Sequence, residues 1–91
     1  MEVRREDERG RYELVDDGEV VGIADFRVDG DRMIFPHTEI IASRRGGGLG
    51  DVLVQAALED VRALGRRVVP RCWFVAEFVG RHREFHDLLA A

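Results

Sequence analysis

The apolar and polar positions of residues 11–41 follow the spacing of β-strands. Segments 11–16, 19–28 and 32–41 carry β-branched and aromatic residues that partly alternate with polar ones, which predicts three strands. Asp17-Gly18 and Asp29-Gly30-Asp31 separate them, and Asp-Gly pairs are typical of tight hairpin turns. The pattern therefore predicts an antiparallel meander.

Pro36 interrupts the third predicted strand. Proline has no backbone N–H and cannot donate to a neighbouring strand. We therefore expect this strand to lie at an edge of the sheet, or to be bulged or split near Pro36.

After residue 48 the spacing of the apolar residues changes from that of a strand to that of a helix. Apolar residues recur at helical spacing at Leu49, Leu53, Ala57, Val61 and Leu64, which predicts one long helix. Gly65 is expected at the end of this helix. Residues 67–70 predict a short strand. Two short helices are expected at 74–79 and 81–89, with a break near Gly80.

The order of these elements predicts the fold class. A helix separates the third and fourth strands, so the two are expected to lie parallel through a right-handed crossover. The expectation is an α+β fold in which an antiparallel meander is joined to a parallel strand pair that flanks a central helix. With 91 residues, the chain is expected to form a single domain over residues 1–91.

Composition narrows the location and the chemistry. No apolar run is long enough to span a bilayer and the start of the chain is charged, so a cytoplasmic protein without a membrane partner is expected. Cys72 is the single cysteine, which excludes an internal disulfide. The histidines His37, His82 and His86 lack metal-ligand spacing, so no metal site is predicted.

The charge is acidic overall and unevenly distributed. The net charge of −4 argues against general nucleic-acid binding. All 14 basic residues are Arg, so Schiff-base chemistry and a phosphate-loop lysine are excluded. Residues 1–31 hold 11 acids and 5 Arg, whereas residues 32–91 hold 7 acids and 9 Arg. An anion would therefore be expected to bind in the second part.

The junction before the long helix is a candidate anion site. Three consecutive glycines, Gly46 to Gly48, allow close approach of the backbone to a ligand. The helix that follows offers free N–H groups and the positive end of its dipole, which suit phosphate or pyrophosphate. A tight structural connection explains the same glycines equally well at this point.

Four segments of the chain together resemble a known family. Arg45-Gly46-Gly47-Gly48-Leu49-Gly50 is similar to the pyrophosphate-loop motif of the GNAT superfamily of acyl-CoA N-acyltransferases. The segments 37–40, 68–75 and 81–85 extend the resemblance to the small, truncated GNAT-like family of YjdJ type, whose members bind acetyl-CoA or coenzyme A.

The resemblance implies where acetyl-CoA would bind. The backbone of the loop residues Gly46, Gly47, Gly48, Leu49 and Gly50 would hold the pyrophosphate. Arg45 would lie beside it. The strand at Ile40, Ile41 and Ala42 would pair with the pantetheine arm. The strand ending at Pro70 would splay away and leave a slot for the acetyl thioester.

Three residues are candidates for catalysis. The family has a cysteine at the position of Cys72, proposed there as an acyl acceptor, and a neighbouring cation or helix start would lower its pKa; the alternative is a small buried apolar residue. His37 and Glu39 lie two apart on a strand and face the same side. By analogy with GNAT enzymes Glu39 is the better general base, and His37 would activate Cys72 or bind substrate. A solvated surface pair is the alternative.

Some positions depart from the family pattern. Phe78 and Phe85 stand where aromatic hydroxyls are common, and the single Tyr12 is far away in the sequence, so Cys72 or water would have to protonate the leaving thiolate. We expect Trp73, Phe74 and Phe78 in the core, His82 to tie down the last helix, and His86 to be exposed.

The sequence therefore carries three functional hypotheses. The first is an acetyl-CoA-dependent N-acetyltransferase acting on an unidentified amine acceptor, either a small molecule or a protein. The second is a CoA-binding sensor or partner module without efficient turnover, which the absent tyrosine favours. The third is a scaffold with a structural glycine turn. A monomer or a weak homodimer is expected, since an exposed strand edge can pair between subunits.

Overall fold

A five-stranded mixed sheet forms the framework of residues 1–90, the part of the chain that the computed structural model describes. Its strands stand side by side in chain order: β1 (Glu2–Glu6), β2 (Arg11–Asp16), β3 (Glu19–Asp29), β4 (Arg32–Ile40) and β5 (Arg67–Val69). The first four are antiparallel, and β5 lies parallel to β4. The α+β class, the meander and the parallel pair are confirmed.

Two α-helices and two 3₁₀ turns complete the structure: α1 (Leu49–Ala63), α2 (Trp73–Arg81), and the turns Ala42–Arg44 and Arg83–Leu88. α1 connects β4 to β5 and buries Leu53, Ala57 and Val61 against the sheet, as predicted, whereas Leu64 of the predicted stripe is the C-cap and is exposed. Gly65 follows its C-cap with φ +70°, a backbone conformation that glycine adopts without strain.

The fold differs from the prediction at several points. β1 was not predicted, because its residues are mostly charged and only Val3 packs against the core; such charge is what protects an edge strand from pairing with other chains. The predicted break near Gly80 lies slightly later, since α2 runs through this residue to Arg81 and a 3₁₀ turn starts at Arg83. A glycine inside a helix costs about 1 kcal/mol, too little to end a helix that packs well.

The core lies between α1 and one face of the sheet. Three aromatic rings form its centre, with the Tyr12 ring centroid 5.3 Å from that of Phe26 and 6.1 Å from that of Phe35. The Tyr12 hydroxyl donates to Asp60 of α1 at 2.7 Å, and Asp60 also accepts from Arg5 of β1 at 2.6 Å. Burial, together with this contact to Asp60, raises the pKa of Tyr12 well above its ordinary value. The only tyrosine therefore stabilises the core.

Within residues 1–90 neither a transmembrane helix nor a metal-binding cluster is found. No helix there combines the length and the apolar character needed to cross a bilayer. No three His, Cys, Asp or Glu side chains in this part of the chain converge closely enough to hold a metal ion.

Candidate functional site

The sheet opens where β4 and β5 separate. The two strands pair only over Arg32–Ile34 and Arg67–Val69. On the other side of β4, Phe35 and Pro36 together stand opposite Phe26 alone, which makes the bulge expected near the proline. The carbonyl of Phe35 accepts from the backbone N–H of Cys72 at 2.7 Å. Beyond this bond β4 continues without β5, and a cleft begins.

This cleft has a volume of about 820 Å³, which is within the range of small-molecule sites. The free part of β4, residues 36–40, forms one wall, and residues 71–74 form the other. The glycine loop and the first turn of α1 close one end. The slot that the resemblance implies between the parting strands is thus present, and it contains residues from every segment of that resemblance.

The free edge of β4 presents backbone groups to the cleft. The Ile41 N–H donates to the Val21 carbonyl at 2.9 Å, so Ile40 forms a non-hydrogen-bonded pair with Gly22. The backbone groups of Ile40 and of Thr38 therefore point away from β3. The Ile40 carbonyl accepts from Arg45 Nε at 2.9 Å, while the remaining groups face the cleft and can bind a ligand as an added strand does.

The strand ends earlier than predicted. The sequence predicts a third strand that extends to residue 41, with Ile40, Ile41 and Ala42 along the pantetheine arm, but β4 ends at Ile40. Ala42 begins a 3₁₀ turn, and the Arg44 N–H donates to the Ile41 carbonyl at 3.0 Å. Of the three residues, Ile40 alone lies on the strand, and the usable edge shifts back to include Thr38.

The glycine loop forms an open cradle at the start of α1. Gly46 and Gly48 have φ of +86° and +77°, and a Cβ placed on either would meet nothing within 4 Å. Gly48 is the N-cap of α1, and no side chain caps the helix. The first N–H groups of α1 therefore lie beside open space, which is the geometry of an anion site.

The other residues of the loop have different tasks. A Cβ on Gly50 would come within 2.6 Å of the Phe74 ring, so this glycine is required for the packing of α1 against α2. Leu49 is half-buried and packs against the core. Arg44 is paired with Asp16 at 2.8 Å, whereas Arg45 is exposed beside the loop. Arg45 is therefore a cation that lies beside the loop and is exposed to an anion there.

Cys72 stands where the two walls meet. It is the N-cap of α2, 8% exposed, and its Sγ lies 3.7 Å from Thr38 Oγ1. Burial acts to raise the pKa of this thiol, but the N–H groups of Val75 and Phe74 and the hydroxyl of Thr38 outweigh it, so the pKa is lowered. A lowered thiol pKa favours the nucleophilic thiolate.

His37 and Glu39 lie on the opposite face of the sheet from Cys72. Successive side chains alternate along a strand, and Thr38 between them contacts Cys72 on the helix side. His37 Nε2 is 3.9 Å from Glu39 Oε1, and both side chains are more than half exposed. They share one face, as predicted, but the structure brings Cys72 together with Thr38 and not with His37.

Thr38 is the site residue that sequence reasoning missed. The signal was present, because Thr38 lies between the two candidate residues His37 and Glu39 and must face the other side of the strand. The partner on that side, Cys72, is 34 residues away and could be found only from the fold.

The aromatic residues of α2 are divided between core and surface. Phe78 is buried and Phe74 packs against the core, as predicted. The prediction for Trp73 is wrong, since its side chain is 72% exposed at the rim of the cleft. The helix turns it outward, while Cys72 and Val75 take the inward positions. His82 Nδ1 lies 2.7 Å from the Phe78 carbonyl, so it ties down the end of α2, and the last helix expected at 81–89 is instead the 3₁₀ turn Arg83–Leu88.

Comparison with known proteins gives a family and a fold. A family model described as GCN5-related N-acetyl-transferase matches residues 11–88. A solution NMR structure of a GCN5-like protein from Staphylococcus aureus, with a proposed N-acetyltransferase activity, is similar with a TM-score of 0.74. The similarity covers 99% of this chain and 88% of that one at 18% identity. No curated protein matches the chain.

The environment of Cys72 predicts a reactive thiol. Iodoacetamide alkylates thiolates, so the pH midpoint of the alkylation rate reports the pKa. We expect a midpoint below the ordinary cysteine value of about 8.5. Thr38→Val, which removes the hydroxyl near Sγ, should raise the midpoint, whereas Thr38→Ser should not. A midpoint at or above the ordinary value would instead identify Cys72 as an inert buried thiol.

Proposed function

The chain belongs to the GCN5-related N-acetyltransferase family, and we propose that its cleft binds acetyl-CoA and passes the acetyl group to an amine. The observation that carries the proposal is the opening between β4 and β5, with an anion cradle at one end and a thiol of lowered pKa at the other. A structural glycine turn alone would require neither the free strand edge nor the open space in front of the loop.

The loop fits the pyrophosphate of acetyl-CoA. Gly46 and Gly48 leave free the space that side chains would otherwise take. The N-terminal N–H groups of α1 and the Arg45 guanidinium would hold the two negative charges. When bound, acetyl-CoA supplies an activated thioester carbonyl.

The free edge of β4 fits the pantetheine arm. Thr38 and Ile40 turn their backbone groups to the cleft, and an arm that carries two amides can pair with them as an added strand does. This contact would hold the reactive end of the ligand beside Cys72, because Thr38 contacts both the edge and the thiol.

Glu39 is the proposed general base. It is exposed on the sheet face that α1 leaves open, with His37 beside it. From this face an amine can enter the slot, and Glu39 or His37 would accept its proton. Within residues 1–90 no helix covers His37 and Glu39, and this open approach suits an extended acceptor such as a protein terminus, a lysine side chain or a polyamine.

Cys72 has two proposed roles. In a direct transfer its thiol would protonate the leaving CoA thiolate, a task that Tyr12 cannot take because its hydroxyl is bound to Asp60 in the core. In a covalent transfer its Sγ would attack the thioester carbonyl and release CoA as the thiolate, and the amine would then take the acetyl group and free the Cys72 sulfur. The mass of the denatured protein after incubation with acetyl-CoA separates the two, since only the covalent route leaves an acetyl group on Cys72.

The cradle can be tested with a matched pair of variants. Gly48→Asp places a carboxylate at the proposed pyrophosphate site and should weaken CoA binding at least tenfold in calorimetric titration. Gly30→Asp is the control, because Gly30 also has a positive φ (+62°) and open surroundings but lies in the β3–β4 turn. Equal CoA affinity of the two variants would exclude the loop as the pyrophosphate site.

The chemical step is tested by removing the base. Glu39→Gln should leave CoA affinity unchanged and slow acetyl transfer to spermidine or a lysine-containing peptide about 100-fold, measured as CoA released. Glu19→Gln, an exposed carboxylate of β3 outside the cleft, is the control. If neither Glu39→Gln nor Cys72→Ala alters transfer, the mechanism is wrong. Tight CoA binding without any transfer would favour the sensor.

A further inference from the structure

Most of the Trp73 ring is left uncovered by the part of the chain that the structure describes. It is the single tryptophan of the chain and the first residue of α2, and 72% of it is exposed. Large aromatic side chains are mostly buried in folded proteins, because removing their apolar surface from water is favourable. Among the exposed large apolar side chains of residues 1–90, Trp73 alone lines the cleft.

The indole of Trp73 packs against the neighbouring ring of Phe74. Its centroid is 5.8 Å from that of Phe74, and the planes of the two rings are inclined at 74°. Phe74 in turn rests on Gly50 at the start of α1. Trp73 is thus held at the rim between the glycine loop and Cys72, with most of its surface free.

We propose that Trp73 covers the pantetheine arm of bound acetyl-CoA; this inference rests on the proposed function. The edge of β4 would bind the two amides of the arm, which leaves its methylene and dimethyl groups facing the wall of residues 71–74. The indole is the exposed apolar surface of that wall. Its burial by the arm would offset the cost of exposing it in the free protein.

The place of Trp73 excludes the adenine ring as its partner. Trp73 follows Cys72 directly, and Cys72 lies at the proposed thioester end of the cleft. The adenine would lie beyond the pyrophosphate, past the glycine loop. The structure therefore assigns Trp73 to the arm and makes it a residue that selects ligands carrying pantetheine over plain nucleotides.

Because Trp73 is the single tryptophan, the intrinsic fluorescence of the protein reports on this side chain alone. Phosphopantetheine and CoA should each change its fluorescence on titration, whereas adenosine 3′,5′-bisphosphate should bind without changing it. Trp73→Ala should weaken CoA binding about tenfold in calorimetry, Trp73→Phe less, and neither should alter the affinity for adenosine 3′,5′-bisphosphate. Val52→Ala is the control, since Val52 is also exposed on a helix but does not line the cleft.

The outcomes separate this inference from the proposed function. If the wild type binds CoA in calorimetry but its fluorescence is unchanged and Trp73→Ala binds equally well, the role of Trp73 is wrong and the cofactor site stands. A fluorescence change with adenosine 3′,5′-bisphosphate would assign the ring to the nucleotide instead. If the wild type does not bind CoA, both proposals fail together.

Discussion

The separation of β4 from β5 after Ile34 is the constraint on which the site depends. Pro36 has no N–H to give, the bulge at Phe35–Pro36 turns the strand, and the Phe35 carbonyl is taken by the Cys72 N–H. A continued parallel pairing would fill the cleft with backbone hydrogen bonds. The bulge at Pro36 and the end of β5 at Val69 together leave the strand edge free, and the Phe35–Cys72 bond places the N-cap of α2.

Strand alternation then divides the chemistry between two faces. Thr38 and Ile40 face the helices, and Thr38 meets the thiol of Cys72 there, whereas His37 and Glu39 face the open side. If acetyl-CoA lies along the edge of β4, its thioester stands between a sulfur on one face and a carboxylate on the other. An amine can then approach from the open face without displacing the cofactor.

Most elements of the fold could be predicted from the spacing of apolar and turn residues along the chain. The exceptions have physical causes. The stripe of α1 and the turns of the meander are decided by neighbouring residues, so spacing was enough to place them. β1 could not be predicted from an apolar pattern, because backbone pairing with β2 holds it in the sheet. The contact of Cys72 with Thr38 joins distant segments, and the exposure of Trp73 depends on the phase of α2. Both features are determined by how the elements pack together, so the local sequence does not predict them.

Binding of acetyl-CoA along the free edge of β4 and onto the glycine loop underlies every step of the proposed transfer. Its most direct test is the change in backbone amide chemical shifts of the ¹⁵N-labelled protein on titration with CoA. We expect the largest shifts at residues 46–50, Thr38 and Ile40. Unchanged amides at these positions would contradict this binding mode, as would shifts confined to the shallow pocket beside Gln55, Arg62 and Phe85.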